Sequence, residues 1–376
     1  MQILNTMTDI ELIKKIRIES FRNVKGPLID LRTPLEFSQG HWPGATNLPL
    51  FNNEERVLIG TTYKHNGPNK ATALGLKFIT PKLTKLIKQL KEIKREFDDK
   101  YKEESRTCLR LYCWRGGMRS ASVAWLSKLY ELNPVILYKG YKAYRNWILD
   151  QFKHEWPLKL IGGRTGSGKT DLLLALSEKG VSIIDLEGLA NHRGSSFGSL
   201  GLPDQPSTEQ YENMIGEVLD IFRESQNKEI FIEAESANLG CCTIPHEIFK
   251  QMKKAEMIEI NRGFHERIEQ LVKVYGKQNK NSLKEATLRI SKRLGPQRIS
   301  IALQAIENEN WHDACKAMLD YYDRCYEHEL SKIRQKVAVD ISGLNSIEAA
   351  ELLLEKNLIC RPHLSQREYP PTSIKL

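Results

Sequence analysis

The chain has 376 residues, 40% hydrophobic and 27% charged, which is material for two cores rather than one. No apolar run approaches the roughly 20 residues needed to cross a bilayer, and charged side chains recur from Asp9 onward through the first twenty residues, so neither a membrane span nor a signal peptide is expected. Seven cysteines with no CxxC pair and no Cys/His cluster at zinc spacing argue against a disulfide scaffold or a structural metal. A cytoplasmic location in a reducing compartment fits, and the net charge of +9 directs attention to a polyanionic partner.

In chain order, residues 27–31, 45–48, 107–113 and 135–138 are short β-like runs, with turn chemistry at Asn47, Pro49 and the Asn52-Asn53 pair. Residues 83–101 carry apolar side chains at helical spacing before the charged KREFDDKYKEESR, which predicts an inserted helix near 80–105 with a solvated end. A helix is predicted over 120–130, directly after a run of distinctive chemistry, Cys113-Trp114-Arg115-Gly116-Gly117-Met118-Arg119-Ser120. A cysteine at a strand-to-helix junction meets the helix N-terminal N–H groups, and Arg115 and Arg119 add positive charge; all three favour a thiolate. Gly116 and Gly117 let the backbone curl around whatever sits above the sulfur. The expected product is a nucleophilic Cys113 inside an anion cradle. Cys108, Cys241, Cys242, Cys315 and Cys325 lie in ordinary apolar patterns and read as structural.

Residues 144–157 read as a junction that separates a first domain, 1–150, from a second, 151–376. There a strand over 158–161 runs into Gly163-Arg164-Thr165-Gly166-Ser167-Gly168-Lys169-Thr170, followed by a helix over 170–178. This is GxxxxGK[ST] in its proper setting: glycines wrap an anion, helix N-terminal N–H groups and Lys169 hold phosphate, and Thr170 can ligate magnesium. A nucleotide, a diphosphate ester or a nucleic-acid backbone would each satisfy these groups. Later strands over 181–186, 229–233 and 257–260 continue the alternation of a parallel sheet. Asp185 and Glu187 end one strand and Glu233 and Glu235 a later one; of these, Asp185 or Glu233 either positions magnesium or a base, or is simply a solvated strand-end carboxylate. His192-Arg193 reads as a lid over the P-loop or as a structural loop. Residues 262–330 are mostly helical and basic, with Arg262, Arg267, Arg289, Lys292, Arg293 and Arg298 among the recurring cations. They offer a surface for nucleic-acid phosphates, of which Arg289, Lys292, Arg293 and Arg298 are taken as the binding candidates, while Trp311 and the tyrosines of 321–326 either stack on bases or pack a core. The tail from Pro362 is expected to be loose.

Two resemblances sharpen this reading. Asp30-Leu31-Arg32, Glu36 and His41-Trp42-Pro43-Gly44-Ala45-Thr46-Asn47-Leu48-Pro49 resemble the entrance signature of rhodanese domains, with Cys113 at the sulfur-carrying position. The spacing from Cys113 to Arg119 is also similar to that of phosphatases on the same fold, and it implies a cradle wide enough for a tetrahedral anion. A rhodanese domain ahead of a P-loop domain resembles the tRNA 2-selenouridine synthase family. Further stretches carry the likeness: Gly67, Ala71 and Ala73-Leu74-Gly75; Gly140-Tyr141-Lys142-Ala143-Tyr144-Arg145; Asn191-His192-Arg193-Gly194-Ser195; Phe197-Gly198; Gln205-Pro206; Lys292-Arg293-Leu294-Gly295; and Tyr321-Tyr322-Asp323.

That resemblance implies an α/β fold: a rhodanese-like domain, then a P-loop parallel-sheet domain with a mostly helical C-terminal portion. It implies S-geranylation of wobble 2-thiouridine in tRNAs for Lys, Glu and Gln, then replacement of the geranylthio group by selenium. The donors are geranyl diphosphate and selenophosphate, with no tightly bound cofactor beyond magnesium at the P-loop. Partners are tRNA and the enzyme that produces selenophosphate. Cys113, Arg115 and Arg119 would carry the selenium chemistry, and the P-loop the diphosphate. The rival is a rhodanese-type sulfurtransferase coupled to an ATPase in tRNA thiolation. One departure stands out: where the family has a basic pair before a glycine, this chain has Ala237-Asn238-Leu239-Gly240.

Overall fold

The computed structural model describes residues 13–101, 107–224, 229–330 and 335–360, and the chain divides into two compact units, Met1–Asp150 and Gln151–Lys375. The first contains β1 (Lys15–Ile16), α1 (Ile18–Phe21), β2 (Leu28–Asp30), α2 (Pro34–Gln39), β3 (Thr46–Asn47), α3 (Asn53–Ile79), α4 (Leu83–Tyr101), β4 (Leu109–Tyr112), α5 (Met118–Leu129), β5 (Pro134–Leu137) and α6 (Gly140–Gln151). Its strands form a parallel sheet in the order β1-β5-β4-β2-β3. The central strands are short, nearly continuous apolar runs, as expected of strands covered on both faces. Ile29, Leu31, Leu109, Leu111 and Ile136 pack with Val123 and Ala124 of α5 and with Leu86, Ile87 and Leu90 of α4.

Two local readings change here. The Asn52-Asn53 pair is not a turn between strands. Asn52 caps α3, accepting from the Glu55 amide while Glu55 reaches back to the Asn52 amide. The long α3 is broken at Gly67, whose φ of 84° and ψ of 174° leave the helical region before Pro68. The region 144–157 does not begin as a linker either, because α6 runs through Gln151. The charged end at 102–106 and the tail beyond 360 lie outside the described residues.

The second unit comprises β6 (Leu158–Gly163), α7 (Lys169–Glu178), β7 (Ile183–Ile184), α8 (Leu186–Ala190), α9 (Thr208–Glu224), β8 (Ile230–Glu233), β9 (Asn238–Leu239), β10 (Cys242–Thr243), α10 (His246–Met252), β11 (Glu256–Asn261), α11 (Phe264–Tyr275), α12 (Lys280–Arg289), α13 (Ser291–Leu294), α14 (Pro296–Glu307), α15 (Trp311–Leu330), β12 (Lys336–Asp340) and α16 (Ser346–Glu355). A parallel sheet runs β12-β11-β6-β8-β7, and β9 and β10 form a separate antiparallel ribbon. The P-loop strand β6 is central, between β11 and β8, so its C-terminal end opens into the crevice where such sheets bind ligands. One core lies on the sheet, around Ile161, Leu172, Leu176, Phe231 and Ile260. A second holds the C-terminal helices together through Leu283, Ile290, Leu294, Ala302, Ile306 and Met318. Among the described residues no helix is long and apolar enough to cross a membrane.

Candidate active site

Cys113 directly follows β4 and is buried. The loop that carries it is fastened by the start of α6: the Tyr141 amide donates to the Cys113 carbonyl at 2.8 Å, and the Lys142 amide to Trp114 O at 3.1 Å. That closeness demands two glycines. A Cβ on Gly140 would stand 2.1 Å from Cys113 O, and one on Gly116 would stand 2.5 Å from Leu137 O; both residues have positive φ. Gly117 has open space around it and no side chain caps the α5 N-terminus there, which leaves the first-turn amides of α5 available to an anion. Ser120 is fully buried, and its Oγ has no partner among the described residues. Trp114, Arg115 and Met118 are exposed around the loop.

The two arginines have different settings. Arg119 is bound to Glu36 at 2.8 Å, and Glu36 also closes the capping box of α2 by accepting from the Thr33 amide. Burial works against ionisation of Glu36, but Arg119 outweighs it and holds the carboxyl below its ordinary range. Arg119 therefore reaches the loop already paired, while Arg115 projects outward. Beneath them Asp30 and Arg32 form a buried pair, with Arg32 Nη2 at 2.7 Å from Asp30 Oδ2 and also donating to Gly40 O at 2.7 Å. The Arg32 guanidinium lies 3.6 Å from the Tyr141 ring centre. Trp42 stacks on Tyr144 at 4.3 Å. The Asp30-Leu31-Arg32, Trp42 and Gly140–Tyr144 stretches are thus the floor of the cysteine loop.

In the second unit Lys169 lies at the start of α7, with its Nζ donating to Gly163 O at 3.1 Å. Ser167 is buried, its Oγ without a partner among the described residues, tucked where a Gly163 Cβ would be 2.5 Å away. Gly166 and Gly168 take positive φ, and a Cβ on Gly166 would meet Arg267 O at 2.7 Å. Arg164 turns outward to Glu327 at 2.7 Å. Two cations read from sequence as nucleic-acid contacts are tied to the P-loop instead. Arg267, 2% exposed, donates to Thr165 O and forms a two-pronged pair with Asp323. Arg262 donates to Ser167 O at 3.1 Å and to Leu344 O at 3.0 Å. Asp323 belongs to the Tyr321-Tyr322-Asp323 stretch, so the need for an Arg267 partner accounts for the aspartate of that motif.

The carboxylates converge on the P-loop with unequal roles. Thr170 Oγ1 donates to Glu187 Oε2 at 2.9 Å. Burial and the neighbouring Glu235 carboxylate push Glu187 up to about 7, against the pull of Lys169 and Thr170. Burial also raises Glu235, opposed by Lys169. Glu233 is fully buried and is raised well above the carboxylate range by burial and by Asp185; its Oε2 accepts from the Leu186 amide. Asp185 caps α8 through the Gly188 amide rather than ending a strand. Asp185 and Glu233 are therefore structural, and Glu187 and Glu235 face the phosphate site. Gly194 lies over this pair, where a Cβ would be 2.6 Å from Glu235 Oε2.

His192 is not poised over a ligand. Its ring is packed where Cβ atoms on Gly198 and Gly240 would meet it at 2.7 and 2.8 Å, and burial lowers its pKa. Arg193 lines the cavity while donating to Leu200 O at 2.9 Å. Gln205 ties the region together: its Nε2 donates to Ala190 O and Leu239 O, and its Oε1 accepts from the Cys241 amide. The departure at Ala237-Asn238 lies at the start of the β9–β10 ribbon.

From the P-loop a cavity of about 800 Å³ extends among the C-terminal helices. Lys169, Thr170 and Glu187 line its polar end, and Leu271, Val274, Leu283, Ile306, Ala314 and Met318 are among its apolar walls. Cys315 also lines it, and burial pushes its thiol up to about 11, so it acts there as a neutral apolar group. Sequence reading missed this cavity, since its walls come from α11, α12, α14 and α15. Tyr321, Tyr322 and Trp311 pack against the helical core. Of the structural cysteines, Cys242 is buried but Cys241 and Cys325 are exposed, so a core role fails for those two.

The tRNA-binding candidates are partly engaged. Arg289 donates to Ser196 O at 2.8 Å, Arg298 pairs with Asp320 and Arg293 lies close enough to Tyr321 to favour its ionised form. Lys292 is exposed with no acidic partner among the described residues.

These two loops match two family models. Residues 12–146 match the rhodanese-like domain, and residues 156–352 match the tRNA 2-selenouridine synthase AAA domain. The second match alone spans more than half of the chain. The chain belongs to the tRNA 2-selenouridine synthase family. Similar full-length members come from Psychromonas ingrahamii (33% identical, covering 84% of this chain and 90% of the relative), Marinobacter nauticus (31%, covering 83% and 90%) and Hydrogenovibrio crunogenus (34%, covering 84% and 92%). Each is a tRNA 2-selenouridine synthase. The expected fold class holds: a rhodanese-like domain precedes a parallel-sheet α/β domain with a helical C-terminal portion.

Proposed function

We infer that this enzyme makes 2-selenouridine in tRNA by geranylating wobble 2-thiouridine at the P-loop and exchanging geranylthiol for selenium at Cys113. The carrying observation is the shape of the cavity: a phosphate-binding loop opens into an apolar chamber. Each buried methylene contributes about 0.8 kcal/mol, so such walls favour a prenyl chain. A nucleoside would leave its ribose and base polar groups without partners against Leu271, Ile306 and Met318.

In the first step the uridine sulfur attacks C1 of geranyl diphosphate, the C–O bond breaks with its electron pair leaving on diphosphate, and the N3–H proton of the base is given up to solvent. The P-loop amides and Lys169 hold that growing charge. Thr170 and Glu187 are oxygen donors at the polar end, which suits magnesium, and a bound ion would add positive charge to the leaving group. In the second step selenium adds at C2 of the base, the C2–S bond breaks, and the sulfur leaves as a neutral thiol once protonated. Hydrolysis of the Se–P bond releases phosphate. Arg115, the α5 amides and Cys113 receive the selenophosphate, with Arg119 and its partner Glu36 fixing the cradle. The substrates are tRNAs for Lys, Glu and Gln, and the selenophosphate-producing enzyme supplies the donor, both by family resemblance.

Purified Cys113→Ser and Lys169→Ala proteins test the division of labour by mass spectrometry of tRNA nucleosides. Cys113→Ser should stop selenium incorporation while S-geranyl-2-thiouridine still accumulates, and Lys169→Ala should impair geranylation. Wild-type enzyme that binds ATP but not geranyl diphosphate, and builds a Cys113 persulfide from thiosulfate, would establish the sulfurtransferase–ATPase instead.

A further inference from the structure

From Arg56 to Lys91 the chain carries Arg56 and seven lysines and no aspartate or glutamate. Folded surfaces ordinarily intersperse the two signs. This stretch forms most of α3 and the first half of α4, within the rhodanese-like unit. Lys64, Lys70, Lys77, Lys85 and Lys88 are all exposed, and none pairs with a carboxylate among the described residues. Tyr63, 62% exposed, stands among them just ahead of the break at Gly67.

Helix stability does not explain this arrangement. A helix N-terminus favours acidic side chains and its C-terminus basic ones. In α4 the order is reversed: Lys85 and Lys88 occupy the first turns, while Glu92, Glu96, Asp98 and Asp99 follow. The fold gains nothing from that order, since Leu86, Ile87 and Leu90 supply the packing whatever the charges opposite them. The C-terminal helices differ. There Lys280, Lys284, Arg267 and Arg298 are each matched by a carboxylate, and Lys292 stands among them with no acidic partner among the described residues.

Lys82, in the same stretch, is paired with Glu55 at the start of α3. We propose that the surface presenting Lys64, Lys70, Lys77, Lys85 and Lys88 on α3 and α4 is a docking site for the phosphate backbone of tRNA. Separate, unpaired cations on two helices suit a polyanion that neutralises them one phosphate at a time, and Tyr63 offers a flat face for an unpaired base. This rests on the reading of the protein as a tRNA-modifying enzyme and assigns the body of the tRNA to the first unit.

The test is a salt titration of binding to a tRNA transcript by full-length protein. It compares wild type with Lys64→Gln/Lys70→Gln/Lys77→Gln/Lys85→Gln/Lys88→Gln. If all five lysines sit on phosphates, the slope of log K against log salt should shrink by about 4, with affinity at least tenfold weaker. Geranyl diphosphate affinity, which reads the other unit, should stay unchanged. Wild-type slope and affinity in the variant would overturn the surface while leaving the functional reading intact. A wild type that binds phosphatidylserine vesicles but no tRNA would overturn both.

Discussion

Arg267 gives the sharpest test of how the phosphate site is built. It is 2% exposed, its Nε donates to Thr165 O at 2.9 Å, and its two terminal nitrogens lie 3.0 and 2.5 Å from the Asp323 carboxylate. Arg267→Met keeps most of the volume but leaves Asp323 as a half-buried, unpaired carboxylate and one P-loop carbonyl without its donor. Removing one partner of such a pair costs about 3–5 kcal/mol, and Asp323→Leu alone should cost about as much by stranding the guanidinium. In Arg267→Met/Asp323→Leu no charge is stranded, so most of the loss should return. Urea unfolding followed by fluorescence of Trp156 and Trp311 measures all four corners of the cycle. Inorganic diphosphate binding supplies a second readout. Stability recovers in the double variant, but the Thr165 tether does not, so diphosphate affinity should stay reduced. Single variants that each lose under about 1 kcal/mol, or that simply add, would refute the reasoning.

Other perturbations probe separate links. Gly140→Ala places a Cβ 2.1 Å from Cys113 O on a residue with φ of 55°; the left-handed backbone alone costs about 1–2 kcal/mol, and selenium incorporation should fall while geranylation persists. Val274→Phe narrows the apolar chamber and should weaken geranyl diphosphate roughly tenfold with little change for inorganic diphosphate; equal losses would sink the chain-binding role. Glu36→Gln should destabilise the first unit at neutral pH. Because the folded carboxyl is held below the unfolded value of 4.5, the wild-type advantage is complete above that value and is lost as the pH falls through the depressed pKa. A difference between the two proteins that persists down to strongly acidic pH would contradict the Arg119 pairing.

The two anion loops were legible because their chemistry constrains residue type at fixed spacing: Gly168-Lys169-Thr170 and Cys113 through Arg119 admit few alternatives. Their surroundings were not. The helix α3 has weakly patterned apolar residues and a Gly67-Pro68 break, so its Asn52 cap resembled a turn. Arg262 and Arg267 looked like nucleic-acid contacts because charge alone does not reveal a partner, and Asp323 lies far along the chain. The apolar chamber is assembled by helices whose individual patterns each read as ordinary core. Asp185 and Glu233 looked like the carboxylates for magnesium or a base, but the turn into α8 makes Asp185 a cap and leaves Glu187 facing Lys169.

Gln205 explains how the Ala237-Asn238 departure can be accommodated. Its amide reads the carbonyls of Ala190 and Leu239 and the N–H of Cys241, groups that every sequence presents alike. The ribbon is thus gripped mostly by its main chain, with side-chain identity felt at Cys242, whose sulfur lies 3.7 Å from Gln205 Nε2, and at Gly240, where a Cβ would stand 1.9 Å from Gln205 Oε1. Position 237 can drift in composition while the walls around the phosphate site keep their place, whereas the Asn238 side chain, accepting from the Thr243 hydroxyl at 3.0 Å, helps hold the two strands of the ribbon together.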